Sequence, residues 1–358
     1  MEKGVLKKAF YIIVLGILFL VALGFGYFRE NIGNPYLLDY NRIAINLPIA
    51  YTKYLDDKTF ALGEKYLADD LKVELERNGF EVRLFTWEDS YSNRNFKQGF
   101  ELYMRNWPEL ELVNYHDFID KDRISVLFET VPYKISEVKN ADIIFTGSLK
   151  RDKEYKKMGL NSYFMPQFTR LDKFYNAPKD ELKTKILFVG NDWSSGVMRK
   201  SIEYAIRNKI DIDVYGKGWN GILKGDDVKL VKGDQILNED LKYYYSSADI
   251  VLNDTRADMI EAGYISNRIF DATACGAFVI SDYIKEIEEI YGDSIVMYKS
   301  EEEFVKLINY YLEHEDERKE KAKRAQKITI ERFGADKLVG EMAKIMREYV
   351  EKNGVYND

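Results

Sequence analysis

The sequence predicts an α/β protein of two doubly wound domains facing a cleft, preceded by one N-terminal transmembrane helix. Three observations carry that expectation. Short apolar runs alternate with helix-period stretches from about residue 42 to residue 298, the pattern of parallel strands joined by helical crossovers. A charged segment without a clear period, "RLDKFYNAPKDELKT" (170–184), interrupts the alternation midway. Ahead of everything, "AFYIIVLGILFLVALGFGYF" (9–28) runs for 20 residues without a charge.

The apolar run follows a short tail, 1–8. As a helix it rises about 30 Å, the thickness of a bilayer core. It is apolar on all faces and stands before the first strand, which argues against a buried core helix. A cleaved signal peptide would have a shorter apolar region and an A-x-A-like site. The expectation is therefore an uncleaved single-pass anchor. Lys3, Lys7 and Lys8 before it, against Arg29 and Arg42 after it, give a weak bias for a cytoplasmic N-terminus.

A linker with Gly33 and Pro35 (29–40) leads into the first domain, 41–175. "RIAINLPIA" (42–50) reads as a buried strand and Phe60–Asn78 as a helix ending at Gly79. "EVRLFTW" (81–87), "RISVLF" (123–128), "ADIIFTGS" (141–148) and "SYFMPQF" (162–168) read as further strands. The polar and aromatic stretch 88–120 yields no assignment.

The second domain, 183–332, repeats the alternation. Its strands are "KILFVG" (185–190), "IDIDVYG" (210–216), "VKLVKG" (228–233), "ADIVLN" (248–253), "AFVIS" (277–281) and "SIVMY" (294–298). Helices are expected at 197–208, 238–247, 266–275 and 283–290. From Glu301 the pattern is helical, with a break near Phe333–Gly334 that sets off a final helix, 333–358.

Composition narrows the function. At 46% hydrophobic and 32% charged residues the chain is globular rather than disordered. A net charge of −7 gives no basic footprint, so nucleic acid is not an expected partner. Cys275 is the single cysteine, which excludes an intrachain disulfide and a cysteine-based metal cluster. His116 and His314 are the only histidines, which excludes a histidine-rich metal site. No G-x-S-x-G supports a serine triad.

In open α/β sheets ligands bind beyond the carboxyl ends of the strands, so the interdomain cleft is the expected site. Ser266 is a suitable N-cap for the helix that follows it. Asn267, Arg268 and Asp271 lie on neighbouring parts of that helix near its N-terminus. Free N–H groups, the positive dipole end and a guanidinium together suit a phosphate or diphosphate. Asp271, one turn in, can accept hydrogen bonds from sugar hydroxyls. An ordinary Arg268–Asp271 surface pair is the competing reading. Gly190 and Gly216 each end an apolar strand, where glycine allows close backbone approach to a ligand. Arg199 and Lys217 are basic residues nearby. His116 and Glu129, the latter at a strand's end, are the acid/base candidates of the first domain. Asp211 and Asp213, in D-x-D form, read as a strand edge.

The second domain resembles a known family. "ILFVGND", "VYGKGW", "ADIVLND" and above all "GYISNRIFDATACGAFVISD" are similar to the CgeB-like (spore protein) glycosyltransferases of the GT-B fold. The resemblance runs from about 185 to 345, is weaker over 123–175, and is absent from 1–120. It implies two Rossmann-like domains, with a nucleotide-sugar donor on the second and a glycan, lipid or protein acceptor facing the first. It implies Asp271 at the donor ribose and Asn267 and Arg268 at the diphosphate. It also implies hexosyl transfer without a metal or other cofactor, and a final helix that crosses back to the first domain. The wider group often carries two glutamates eight positions apart. Here Gly263 stands at the first position and Asp271 at the second, with Glu261 the nearest upstream acid. The expected function is membrane-anchored glycosyl transfer, with the catalytic domain in the cytoplasm where bacterial nucleotide sugars are found. A membrane-tethered two-lobe binding protein and an inactive GT-B scaffold are the alternatives.

Overall fold

The computed structural model describes residues 38–57, 63–86, 88, 96–104, 123–192 and 198–353. The anchor expected at 9–28 and His116 lie outside these residues. Among the described residues no helix is long and apolar enough to cross a membrane.

The first sheet contains β1 (Asp39–Asn46), β2 (Glu81–Phe85), β3 (Gln98–Met104), β4 (Ile124–Glu129), β5 (Ile143–Thr146) and β6 (Ser162–Phe164). Their order is β2-β1-β3-β4-β5-β6, and all neighbours run parallel. Helix α1 (Gly63–Arg77) joins β1 to β2, α2 (Ile135–Val138) joins β4 to β5, and α3 (Leu149–Lys157) joins β5 to β6. Ile43, Ala44 and Ile45 of β1 have no exposed surface, as a central parallel strand covered on both faces requires.

The second sheet contains β7 (Thr184–Val189), β8 (Asp213–Tyr215), β9 (Val231–Gly233), β10 (Ala248–Asn253), β11 (Val279–Asp282) and β12 (Val296–Tyr298). The order is β12-β11-β10-β7-β8-β9, again parallel throughout. Counted from β7, this is the 3-2-1-4-5-6 arrangement whose direction of winding reverses between the first and fourth strands, β7 and β10. Its connections are α4 (Lys200–Arg207), α5 (Trp219–Ile222), α6 (Leu241–Ser247), α7 (Ala257–Ala262), α8 (Asn267–Ala274) and α9 (Lys285–Tyr291).

Three helices close the chain: α10 (Glu301–Glu313), α11 (Glu315–Arg332) and α12 (Ala335–Lys352). α11 lies on α8, where Thr273 and Thr329 hydroxyls meet at 2.7 Å and Gln326 Nε2 donates to the Ala274 carbonyl at 2.9 Å. α12 lies on α1, and Arg347 donates to the Asn78 carbonyl and covers the Phe80 ring. At the break between α11 and α12, Gly334 bridges Thr169, just ahead of the charged segment that separates the domains. The two domains also meet directly: Lys150 Nζ donates to the Glu261 carbonyl at 3.0 Å, and the Tyr264 and Thr146 hydroxyls meet at 3.1 Å.

β3 falls in the stretch left unassigned by sequence. All seven of its residues are buried, yet Gln98 and Glu101 interrupt any apolar run. Their burial is stabilised by a polar network: Glu101 accepts from Gln98 at 3.0 Å, Arg123 at 2.6 Å and the Tyr103 hydroxyl at 2.6 Å.

Candidate functional site

A cleft of about 310 Å³ opens between the carboxyl ends of the two sheets. From the second domain it is lined by the ends of β7 and β8, the loop after β9, and the start of α8. From the first domain it is lined by the start of α1, chiefly Gly63, Tyr66, Leu67 and Asp70 with Glu64 beside them, by Thr130 and Val131 just past β4, and by Gln167 and Phe174. Gly63, Tyr66, Leu67 and Asp70 recur at i, i+3, i+4 and i+7, one face of a helix.

Arg268 sits at the reversal point of the second sheet. Its Nε donates to the Val189 carbonyl at the end of β7 (2.7 Å), and Nη1 to Asn253 Oδ1 at the end of β10 (2.9 Å). The guanidinium also stacks over Phe188, 5.2 Å from the ring centre. It is therefore tethered across the crevice where open α/β sheets bind ligands. Burial lowers its pKa from the ordinary arginine value.

The two glycines expected near a ligand are what make this packing feasible. A Cβ at Gly190 would stand 2.6 Å from Arg268 Nη2, and one at Gly216 would stand 2.2 Å from the Gly190 carbonyl oxygen. Both glycines line the cleft. The strand ends thus close on each other and on the guanidinium, and a side chain at either point would push them apart.

Asn267 and Asp271 are one turn apart on the cleft face of α8, and Asn267 Nδ2 donates to Asp271 Oδ2 at 2.8 Å. Among the described residues the remaining oxygens, Asn267 Oδ1 and Asp271 Oδ1, are buried with no hydrogen-bond partner, and the Thr169 hydroxyl, likewise unpaired, lies near Asp271. Burial pushes the Asp271 carboxyl up to about 7 from 3.8. The charge of Asp70 across the cleft pushes the same way, while Asn267, Lys173 and the nearby Thr169 hydroxyl oppose it. Two adjacent unpaired acceptors in a buried wall are costly unless a donor-bearing ligand meets them. Ser266 stands at the N-cap with extended backbone, but its hydroxyl makes no capping bond, contrary to the capping role its position suggests. The Arg268–Asp271 surface pair also gives way: Arg268 turns to Val189 and Asn253, and Asp271 to Asn267.

The other sequence candidates lie elsewhere. Arg199 is not among the residues that line the cleft; it donates to the Asp254 carbonyl at 3.2 Å and the Asn191 carbonyl at 3.4 Å. Lys217 is exposed and also off the cleft wall; its backbone N–H donates to Asn191 Oδ1 at 2.8 Å. Glu129 is fully buried beneath the cleft. Its Oε1 accepts from the Tyr155 hydroxyl at 2.7 Å, the Tyr133 amide at 3.1 Å and Arg151 at 3.2 Å. Its Oε2 is buried without a partner among the described residues, but Glu129 has no exposed surface and does not line the cleft, which weighs against the acid/base reading. The strand-end position that suggested chemistry instead places Glu129 in a cage that holds the loop after β4. Among the described residues no group of three or more histidine, cysteine or acidic side chains is arranged to hold a metal.

Sequence reasoning missed the first-domain wall. Asp70 and Tyr66 are on it, and the signal was present as a carboxylate and a phenol on the apolar stripe of an amphipathic helix. The loop after β9 was missed as well. It brings Gln235 and Asn238 to the cleft, and Asn238 Oδ1 is another buried acceptor on the cleft wall without a partner among the described residues.

Residues 198–344 match the model of a family described as glycosyl transferase-like. The spore protein CgeB of Bacillus subtilis (strain 168) is 25% identical over 223 residues, which covers 58% of this chain and 69% of that protein. Sucrose-phosphate synthase from Thermosynechococcus elongatus has the same architecture, with a TM-score of 0.65 at 12% identity over 87% of this chain and 99% of its own. Anabaena HepE, solved in complex with UDP-glucose, matches with a TM-score of 0.63 at 12% identity over 86% of this chain and 99% of its own. These structures share the two-domain GT-B fold with this chain.

Proposed function

We propose that this chain, a glycosyltransferase of GT-B type similar to CgeB, moves a hexose from a nucleotide-sugar donor to a hydroxyl of a glycan, lipid or protein acceptor. The observation that carries the reading is the cluster at the start of α8. Arg268 is tethered across the sheet's reversal point, and beside it stand two buried acceptors with no partner among the described residues. A nucleoside diphosphate answers both features. Its diphosphate meets the guanidinium and the uncapped helix start. Its ribose diol supplies the two donors that Asn267 Oδ1 and Asp271 Oδ1 lack. That HepE binds UDP-glucose on the same fold is in keeping with this assignment.

In this reading the chemistry is electrostatic. Charge develops on the departing diphosphate, and Arg268 with the helix N-terminus is already in place to receive it. The reading asks for no metal, because those groups supply the counter-charge. The acceptor enters from the α1 side. Residues 9–28 anchor the chain to a membrane, with the catalytic domains in the cytoplasm.

The test is calorimetric titration of the full chain in detergent with UDP, GDP and ADP, beside Arg268→Ala and Asp271→Ala. One nucleotide bound tightly, and lost in both folded variants, is expected. Binding of none by the wild-type chain, or undiminished binding by both variants, would sink the assignment.

A further inference from the structure

Of the two acid/base candidates from the sequence, Glu129 is buried off the cleft wall, and His116 lies outside the described residues. The first-domain wall carries two carboxylates, Glu64 and Asp70, of which Asp70 is the more buried. Asp70 is on the cleft-facing stripe of α1, opposite the α8 cluster, and only 9% of its surface is exposed. Its two cationic neighbours both approach Oδ1: Lys173 Nζ at 3.2 Å and Arg170 at 3.8 Å. The one hydrogen bond the carboxylate makes among the described residues, from Lys173, goes to Oδ1 and leaves Oδ2 without one. Burial holds the carboxyl above its ordinary pKa despite both cations. The same helix carries Glu74, which serves the structural charge network with Arg77 and Arg170 instead.

We propose that Asp70 is the acceptor-side base of the transfer. The inference rests on the donor reading above. The acceptor hydroxyl oxygen forms a bond to the anomeric carbon of the donor. The bond from that carbon to the diphosphate oxygen breaks, its electron pair leaving with the nucleoside diphosphate. The hydroxyl proton passes to Asp70 Oδ2. Lys173 fixes the other oxygen and so the direction in which the free one points. Water entering the same wall would be activated in the same way, so the donor alone is a sufficient probe.

The experiment measures nucleoside diphosphate release by the full chain from UDP-glucose, GDP-mannose and ADP-glucose. Wild type, Asp70→Asn, Asp70→Glu and Lys173→Met are compared, with nucleotide affinity and circular dichroism on each. Asp70→Asn is expected to bind nucleotide as wild type does and to lose about 100-fold or more in release. Asp70→Glu should recover part of the rate. Lys173→Met, which breaks the same ion pair but keeps the carboxylate, should lose much less than Asp70→Asn. Equal release by wild type and Asp70→Asn, at whatever rate, overturns the proposal. So does an equal loss in Lys173→Met, or an Asp70→Asn chain that is unfolded or no longer binds nucleotide. Failure of the donor reading is separately visible, as a wild-type chain that binds no nucleotide.

Discussion

Arg268 Nη2 occupies the space that a side chain at Gly190 would claim; the two would stand 2.6 Å apart. Residues 78 positions apart in sequence are thereby matched, a missing Cβ on one side and a planar cation on the other. Gly190→Ala is therefore expected to displace the guanidinium while leaving most of the core intact. A hydrogen bond from a charged group contributes roughly 1.5–3 kcal/mol, so nucleotide affinity should fall about tenfold or more. Titration calorimetry reads the loss, and an unchanged affinity would mean that Arg268 does not meet the nucleotide. Arg268→Lys should fare little better. It keeps the charge but not the fork that bonds Val189 and Asn253 together.

Asp271 links pH to both stability and binding. Burial, the largest influence, pushes its carboxyl up to about 7 in the folded chain from the ordinary 3.8. The folded state thus holds a proton that the unfolded state has released between those values. Stability falls as pH rises through that window, is highest below it, and levels off above about 7. The difference amounts to about 4 kcal/mol. Asp271→Asn removes this dependence, so its melting temperature should match wild type near pH 4 and exceed it at pH 8. Nucleotide binding should run the other way. Affinity of the wild type rises with pH as the carboxylate forms, and the Asn variant stays weak and flat. A wild-type stability that increases between pH 5 and 8 more than that of the variant would contradict the assignment.

Glu129 should prove structural. With Tyr155, Tyr133 and Arg151 all donating to one oxygen, Glu129→Ala leaves a largely buried guanidinium without its carboxylate. Removing one partner of a buried pair costs about 3–5 kcal/mol. Urea unfolding should show that loss, while nucleotide affinity in the folded variant remains at the wild-type value. A stable variant with impaired turnover would restore Glu129 to the chemistry.

The strands were legible where burial on both faces left unbroken apolar runs, as in "ADIVLN", which forms β10 at its expected limits. β3 was not, because Gln98 and Glu101 are buried through pairing with Arg123 and Tyr103, and pairing partners distant in sequence leave no local period. The cluster at the start of α8 was legible for a related reason. Asn267, Arg268 and Asp271 are polar residues in a helix that packs into the core, and their spacing alone puts them on one end of it. Arg199 has the same residue type and a nearby position, yet points at Asp254 and Asn191. Only the fold distinguishes a cation in the wall from one off it. Asp70 shows the reverse case: its helix was expected, but which stripe faces the other domain depends on how the two sheets are set across the cleft.

The remaining prediction concerns residues 9–28. Twenty uncharged residues as a helix match the bilayer core, and the described domains begin only ten residues beyond the run, at residue 38. Expressed in bacteria, the full chain should sediment with membranes and resist extraction by alkaline carbonate. A chain starting at residue 36 should remain in the supernatant. If the domains use cytosolic nucleotide sugars, a reporter at the C-terminus that works only in the cytoplasm will be active, and one that works only outside will be silent. The lysines ahead of the run favour the opposite sidedness, through the retention of basic residues on the cytoplasmic side. The two forces are unequal. Lys3, Lys7 and Lys8 outnumber Arg29 and Arg42 by a single charge, a weak determinant, whereas a donor site on the wrong side of the membrane would have no cytosolic substrate. A reporter active only outside would overturn the cytoplasmic placement and, with it, the expectation that the donor is drawn from the cytosol.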